Sequence, residues 1–362
     1  MKKTILKDVA MPPKVFGAPV NLAMVNAGVF IVLHLISPVE INPIFFILIM
    51  LCLHLLLVFF GKKEPHLSKL LQNKGKKAEI LCDKYDVDGA TVLFKDGCFS
   101  CVFDTHNNRI SDTDKKSLLD EMRNMGISIR FFRTKGNTYL ILSGKSFSKK
   151  VIQVISARFP SYELLTNSTQ ITAGDVFRTI LNPIEDNLFS TNSSLSEKAL
   201  LTNIRSSVQK DIMCFEQDGK KLYTTVLCLQ KIENEVDFDF INQLDSESSV
   251  LSWIEPLSTP KSAAILHRMY GMAKLTRVQG DFEEVMKMAL RGEVFFFYGL
   301  NIYVSASSVQ QLEVKKEELI QKAKLYGMSL VSEKWNLPLA FYMGFPQYEM
   351  PRYFLLPGSL FA

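Results

Sequence analysis

Three features of this chain hold residue types that could do chemistry: a Gly-Lys-Ser triplet, a Cys-x-x-Cys pair and five histidines. Gly144-Lys145-Ser146 follows a strand-like run, Tyr139 to Leu142, and precedes a helical one, which is the setting of a phosphate-binding loop. That loop needs a glycine five residues before the second one, so that backbone N–H groups can curl round the phosphate. Position 139 is a tyrosine, and the chain has no other Gly-Lys-Ser or Gly-Lys-Thr. The triplet reads as a turn. Cys98 and Cys101 lack a second pair, or histidines at matching spacing, to complete a zinc site. In a strand, residues three apart point to opposite faces, so these two read as core or surface cysteines. Six scattered cysteines suit a reducing compartment. His34, His54, His66, His106 and His267 are dispersed, and no Ser or Cys has a recognisable nucleophile context. No catalytic, cofactor or metal residue is assigned, and no enzymatic activity is expected of this chain.

The elements around these residues point elsewhere. Val20 to Ile36 and Ile44 to Phe60 are apolar runs of 17 residues each, joined by Ser-Pro-Val-Glu-Ile-Asn-Pro. Each is near the lower limit for a helix that crosses a bilayer. In lipid a run must satisfy its own backbone, which makes both helical. Asn21, Asn26, His34 and His54 are the polar interruptions, with Asn26 and His34 placed for helix-to-helix contacts. Pro38 and Pro43 fix the reversal between the runs. Lys2, Lys3, Lys7 and Lys14 precede the pair, and Lys62, Lys63, Lys69, Lys74, Lys76 and Lys77 follow it. The connecting loop carries Glu40 and no lysine or arginine. The positive-inside rule then places both termini in the cytoplasm. The first run begins late, lacks a small-residue cleavage site and is followed at once by a second span, so it reads as retained rather than as a signal peptide. The net charge of +5 lies largely beside these spans, where it can meet anionic headgroups. It gives little reason to expect nucleic acid as a partner.

Residues 1–77 form the anchor, with an interfacial amphipathic helix through Leu67, Leu70 and Leu71 and a linker from Asn73 to Lys77; residues 78–362 form a cytoplasmic body. Asp96-Gly97 between Thr91–Phe94 and Cys98–Phe103 is a hairpin signal. A helix starting near Ser111 carries Leu118, Leu119, Met122 and Met125 and stops at Gly126. Strands over 127–134 and 139–142 and a helix over 148–159 complete a ββαββα first half. The spacing then predicts a Ser/Thr/Asn-rich connection with a short helix near 175–181. A helix over about 196–215, strands over 222–230 and 249–254, and a helix from Pro260 to Ala273 follow. Asp281 and Glu284 form a capping box before a helix ending at Gly292. Val294–Tyr298 and Ile302–Ser305 are expected to pair, and Val309–Tyr326 to be a helix ending at Gly327, its charges from Glu313 to Glu318 facing water. The fold class is α+β, with a mostly antiparallel sheet of ββα units.

Two stretches carry a family resemblance. Met11-Pro-Pro-Lys-Val, then Phe16-Gly17-Ala18-Pro19 with Asn21 and the two short spans, resembles the third VirB component of type IV secretion systems, a small inner-membrane subunit. The body resembles the amino-terminal region of the CagE/TrbE/VirB family, the fourth VirB component. The likeness runs from Arg291-Gly292 through the Phe-rich strand, the charged helix and Gly327 to Leu337-Pro-Leu and Pro351-Arg352. Where that family has Leu-Pro-Gly, this chain has Phe345-Pro346-Gln347, so the glycine is missing. Fusion of the two components in this order occurs in the family.

The resemblance implies an assembly subunit of a type IV secretion system in the bacterial inner membrane. Its implied partners are the membrane, other secretion subunits, a phosphate-loop ATPase chain or domain, and further copies of itself. In longer family members a carboxy-terminal domain binds and hydrolyses ATP. This chain stops at Ala362, about where that domain would begin, so no cofactor is expected within it. A split or truncated ATPase whose motor half is a separate chain, and a membrane-tethered adaptor unrelated to secretion, are the alternatives.

Overall fold

The computed structural model describes residues 3–360 apart from 5–9, 13, 16–17, 37–42, 74–81, 86–89, 95, 108–111, 135, 146–148, 167, 182–204, 218, 234, 245–247, 274–278, 336, 347 and 349. Among the described residues, 13 strands form one sheet, and every pairing in it is antiparallel. In chain order they are β1 Cys82–Tyr85, β2 Val92–Phe94, β3 Phe99–Asp104, β4 Ser128–Thr134, β5 Asn137–Gly144, β6 Glu163–Leu164, β7 Arg205–Gln209, β8 Ile212–Gln217, β9 Lys220–Ile232, β10 Ser249–Pro256, β11 Phe295–Ala306, β12 Met328–Ser332 and β13 Phe354–Pro357. Across the sheet they run β7-β8-β9-β11-β10-β4-β5-β3-β2-β1. β12 adds to β9, β13 to β11 and β6 to β3.

Helices cover both faces. The helices in chain order are α1 Val20–Ile36, α2 Pro43–Lys63, α3 Leu67–Asn73, α4 Asp112–Met125, α5 Lys149–Arg158, α6 Ala173–Leu181, α7 Thr259–Ala273, α8 Gln279–Leu290, α9 Val309–Leu325 and α10 Leu337–Tyr342. Leu118, Leu119 and Met122 of α4, Val151 and Ile155 of α5, and Leu312 and Ala323 of α9 pack on one face. Val176, Phe177 and Ile180 of α6 and Leu337, Ala340 and Phe341 of α10 pack on the other. α7 and α8 close over Phe295 and Leu355. This two-sided cover explains why β11 is apolar at nearly every position. Phe296, Tyr298, Leu300, Ile302 and Val304 serve the first face, while Tyr303 and Phe297 serve the second.

β11 corrects one expectation. Val294–Tyr298 and Ile302–Ser305 do not pair with each other; they are two halves of one strand running through Gly299. The element after it is a helix and then a single strand, so no second ββα unit forms at this end. The helix expected over 196–215 is also overturned: β7 and β8 form a hairpin there, and 196–204 lie outside the described residues. Met213 and Phe215 point into the core while Cys214 and Glu216 are half-exposed, an alternation that only a strand gives. Lys210, with φ 56°, and Asp211 make the two-residue turn. Nor do all the charges of α9 face water. Lys316 is buried against Asp211 of that turn (3.5 Å) and Glu313. Leu67 and Leu70 of α3 are buried in protein, leaving only Leu71 of the three exposed.

One described helix, Ile44–Lys63 within α2, is long and apolar enough to cross a membrane. α1 is apolar but shorter, at 17 residues. The two pack together, and Asn26 Nδ2 donates to the Met50 carbonyl (3.1 Å). The chain before α1 also touches the body: Lys3–Thr4 pairs with Glu235–Val236, and Ala10 is buried in the main core.

Gly327, between α9 and β12, has φ 75°, and a Cβ there would overlap the Glu235 carbonyl oxygen. Gly327→Ala should therefore destabilise the fold by at least ~2 kcal/mol. Urea unfolding of the purified protein checks this; an unchanged midpoint would contradict the packing of this turn.

Candidate functional site

The sheet splits at one point. β9 and β11 pair from Tyr223↔Ala306 to Cys228↔Asn301 and then part. β9 carries on with β12 as far as Ile232↔Met328, and the first half of β11 takes β13, with Tyr298↔Phe354 as the innermost pair. Gly299 sits at the split because segment 350–352 crosses over it. A Cβ there would collide with the Met350 sulfur and lie 3.2 Å from the Arg352 carbonyl oxygen. A register shift between Leu229 and Lys231 bulges β9 at this level.

Into this fork comes the end of α2. Arg352, directly before β13, is almost fully buried and lies between two carboxylates. Its Nη1 pairs with Glu333, just after β12, and its Nη2 donates to Glu64 Oε2 (3.0 Å), the residue after α2. Glu333 Oε1 also accepts the Trp335 backbone N–H (2.7 Å). Glu64 Oε1 accepts the His66 backbone N–H (3.2 Å). Gln230, on the bulge, donates from Nε2 to Glu64 Oε2 and to the Lys63 carbonyl, each at 3.0 Å. Lys231 Nζ donates to the Lys62 carbonyl (3.0 Å). These two bonds satisfy carbonyls at the helix end that have no partner within the helix. His66 is buried with its ring edge-on to Phe354, centroids 5.2 Å apart.

The electrostatics suit a tie more than a catalyst. Burial works against the Arg352 charge, but the Glu333 and Glu64 carboxylates beside it more than offset that and hold the guanidinium protonated. Burial, helped by the charge of Arg352, pushes His66 down to about 3, so its ring is neutral at physiological pH. Burial pushes the Cys228 thiol up to about 12, which leaves it protonated and a poor nucleophile. What the arrangement does is tie Glu64 and Glu333 to one cation, Arg352, and Gln230 and Lys231 to the end of α2.

Arg130, on β4, makes a second buried anchor. Its guanidinium donates to the carbonyls of Met343 (3.2 Å), Phe345 (3.2 Å) and Tyr348 (3.3 Å), pinning the turn that leads to Arg352 onto the sheet.

The residues singled out from sequence fall as follows. Val20 and Ile36 bound α1, and Asn26 faces α2. Ile44, His54 and Phe60 lie on α2, with Ile44 60% and Phe60 50% exposed. Pro19 pairs with Lys14 in a two-residue strand, while Phe16 and Gly17 lie outside the described residues. Gly292 (φ 85°) ends α8, and Gly327 ends α9. Pro346 and Pro351 are half-buried, and Arg352 is the centre of the cluster. The partners of Arg352 are 19 and 288 residues away from it, too far for local spacing to reveal them. The one available signal was that Glu64 is the sole acid in 61–77.

The motifs weighed first lie apart from this cluster. Gly144 ends β5 under Ile127 and Phe99, with Lys145 exposed and Ser146 outside the described residues. Cys98 and Cys101 are buried on opposite faces of the sheet. Burial and then Asp96 push Cys98 up to about 11, and burial pushes Cys101 up to about 12. His106 and His267 are exposed. Among the described residues no three His, Cys, Asp or Glu side chains converge as a metal site requires. No protein-family model matches the chain, and no curated protein matches it.

Two outcomes follow from the cluster. Arg352→Met leaves two buried carboxylates without their cation, and should cost about 3–5 kcal/mol in urea unfolding of the detergent-solubilised protein. For His66, the folded value near 3 lies below the 6.5 of the free side chain. The unfolded chain therefore binds a proton that the folded chain does not. The stability gained by keeping the ring neutral is complete above pH 6.5 and is lost as pH falls toward 3. Between pH 7 and 5, His66→Gln should lose about 2 kcal/mol less than the unsubstituted protein.

Proposed function

We propose that this chain is a structural subunit of a type IV secretion system in the bacterial inner membrane, and that its body docks a phosphate-loop ATPase carried elsewhere. In this reading α1 and α2 cross the bilayer as a hairpin, and both termini and residues 78–362 lie in the cytoplasm. The observation that carries it is that the chain is tied to the same body on both sides of the apolar pair. Lys3–Thr4 and Ala10 hold it before α1, and Glu64 and His66 hold it after α2. A segment that leaves a body and returns to it crosses a membrane an even number of times.

The rest of the support is chemical. α1 and α2 expose apolar side chains along most of their length, a surface that water would penalise and lipid would not. At 1.5 Å per residue α1 is about 25 Å long, slightly short of a bilayer core of about 30 Å, a mismatch met by local thinning. Asn26 spends its side-chain donor inside the helix pair rather than on lipid. The lysines sit at the two ends and not in the loop, which gives the orientation. The secretion assignment rests on the likeness of Phe16–Pro19 and of 291–357 to the VirB components. The body offers a rigid sheet with a pinned carboxy-terminal turn, a platform for a partner.

Washing membranes with high salt and then alkaline carbonate should leave the protein in the pellet. Protease should digest the body in inside-out vesicles and spare it in intact spheroplasts. Release by salt alone would overturn the spanning reading, and digestion in spheroplasts would overturn the orientation.

A further inference from the structure

We propose that the folded body carries a basic collar round the foot of α2 that binds anionic phospholipid headgroups and seats the body on the bilayer surface. The inference rests on the spanning reading above and adds a partner to it. Lys62 and Lys63 are exposed at the end of α2. Side chains on a helix lean toward its N-terminus, and the Lys63 ammonium duly lies 4.4 Å from the centroid of the Phe59 ring, one turn back along the apolar helix. This is where headgroups would begin.

Two further cations come from the body's side. Lys231, on the β9 bulge, reaches the Lys62 carbonyl at 3.0 Å. Lys69, on α3, stands 5.5 Å over the Tyr353 ring next to β13. Lys14 lies close enough to act on the buried His66, and its strand partner Ala18–Pro19 packs against α2. Glu233, two residues beyond Lys231, is exposed, but the two carboxylates nearest the end of α2 face away from the surface. Glu64, the sole carboxylate in 61–77, is turned inward with Glu333 onto Arg352. The fork thus hides Glu64 and Glu333 in the protein, and Lys62, Lys63, Lys69 and Lys231 outnumber the exposed Glu233 at the rim.

A rim of this sign beside an apolar span fits a phosphodiester surface. Each lysine near an anionic membrane strengthens association about fivefold. Because Lys69 and Lys231 are set by the fold, they add to what the flanking tail of Lys74, Lys76 and Lys77 supplies.

The test uses the full chain reconstituted in phosphatidylcholine bilayers containing phosphatidylglycerol as the minor, anionic component. Spin-labelled phosphatidylglycerol and phosphatidylcholine report the lipid held at the protein. The expected result is at least about fivefold preference for phosphatidylglycerol, reduced by high salt and by Lys69→Gln/Lys231→Gln, and restored by Lys69→Arg/Lys231→Arg. Equal association of the two lipids would overturn the proposal. So would a preference untouched by the glutamine pair, which would assign it to the tail alone. Carbonate extraction of the same vesicles keeps the readings apart: a chain that resists extraction without lipid preference sinks the collar only, and one that is extracted sinks the span.

Discussion

Arg352 is the constraint on which the arrangement depends. A guanidinium this deeply buried is tolerated only if its charge is met, and it is met by Glu333 from the body and Glu64 from the end of the apolar helix. The pairing works in both directions, since without Arg352 both buried carboxylates would lack a cation. A single residue therefore fixes where α2 ends relative to the sheet. The fork makes room for it: β9 and β11 separate after Cys228↔Asn301, and β13, which follows Arg352, pairs with β11 in place of β9. Gly299 and the β9 bulge are the backbone features that let the strands part.

This explains why so polar a cluster sits beside so apolar a helix. An apolar helix attached through a flexible linker would move independently of the body. Here the helix passes directly into Glu64, Pro65 and His66, all buried, and then into α3, whose Leu67 and Leu70 enter the protein. The amino-terminal arm adds a second tie through Lys3–Thr4 and Ala10. A displacement of the body is therefore passed to the helices.

Local features of the fold were readable from residues. The Asp96-Gly97 turn, the α4 face of Leu118, Leu119 and Met122, and the helix stops at Gly126, Gly292 and Gly327 all follow from short-range chemistry. The errors came where local pattern is ambiguous or long-range contact decides. Gly299-Leu-Asn reads as a turn, yet it is mid-strand because another segment must cross closely above it. Residues 205–217 have passable helical composition, but a two-residue turn at Lys210-Asp211 and an alternating core face make them a hairpin. Within the cluster, Pro351-Arg352 stands out as a motif, but the tie that Arg352 makes leaves no local trace because Glu64 lies 288 residues away. Sequence carries no mark of a pairing that only the assembled sheet creates.

The central claim is that Glu64 and Arg352 act on each other directly, joining helix to sheet. A double-mutant cycle on Glu64→Gln and Arg352→Met, read by urea unfolding of the detergent-solubilised protein, measures that coupling. The structure predicts an interaction energy of about 2–3 kcal/mol, the two losses being far from additive. A coupling below ~0.5 kcal/mol would contradict it, because the two side chains would then stabilise the protein independently.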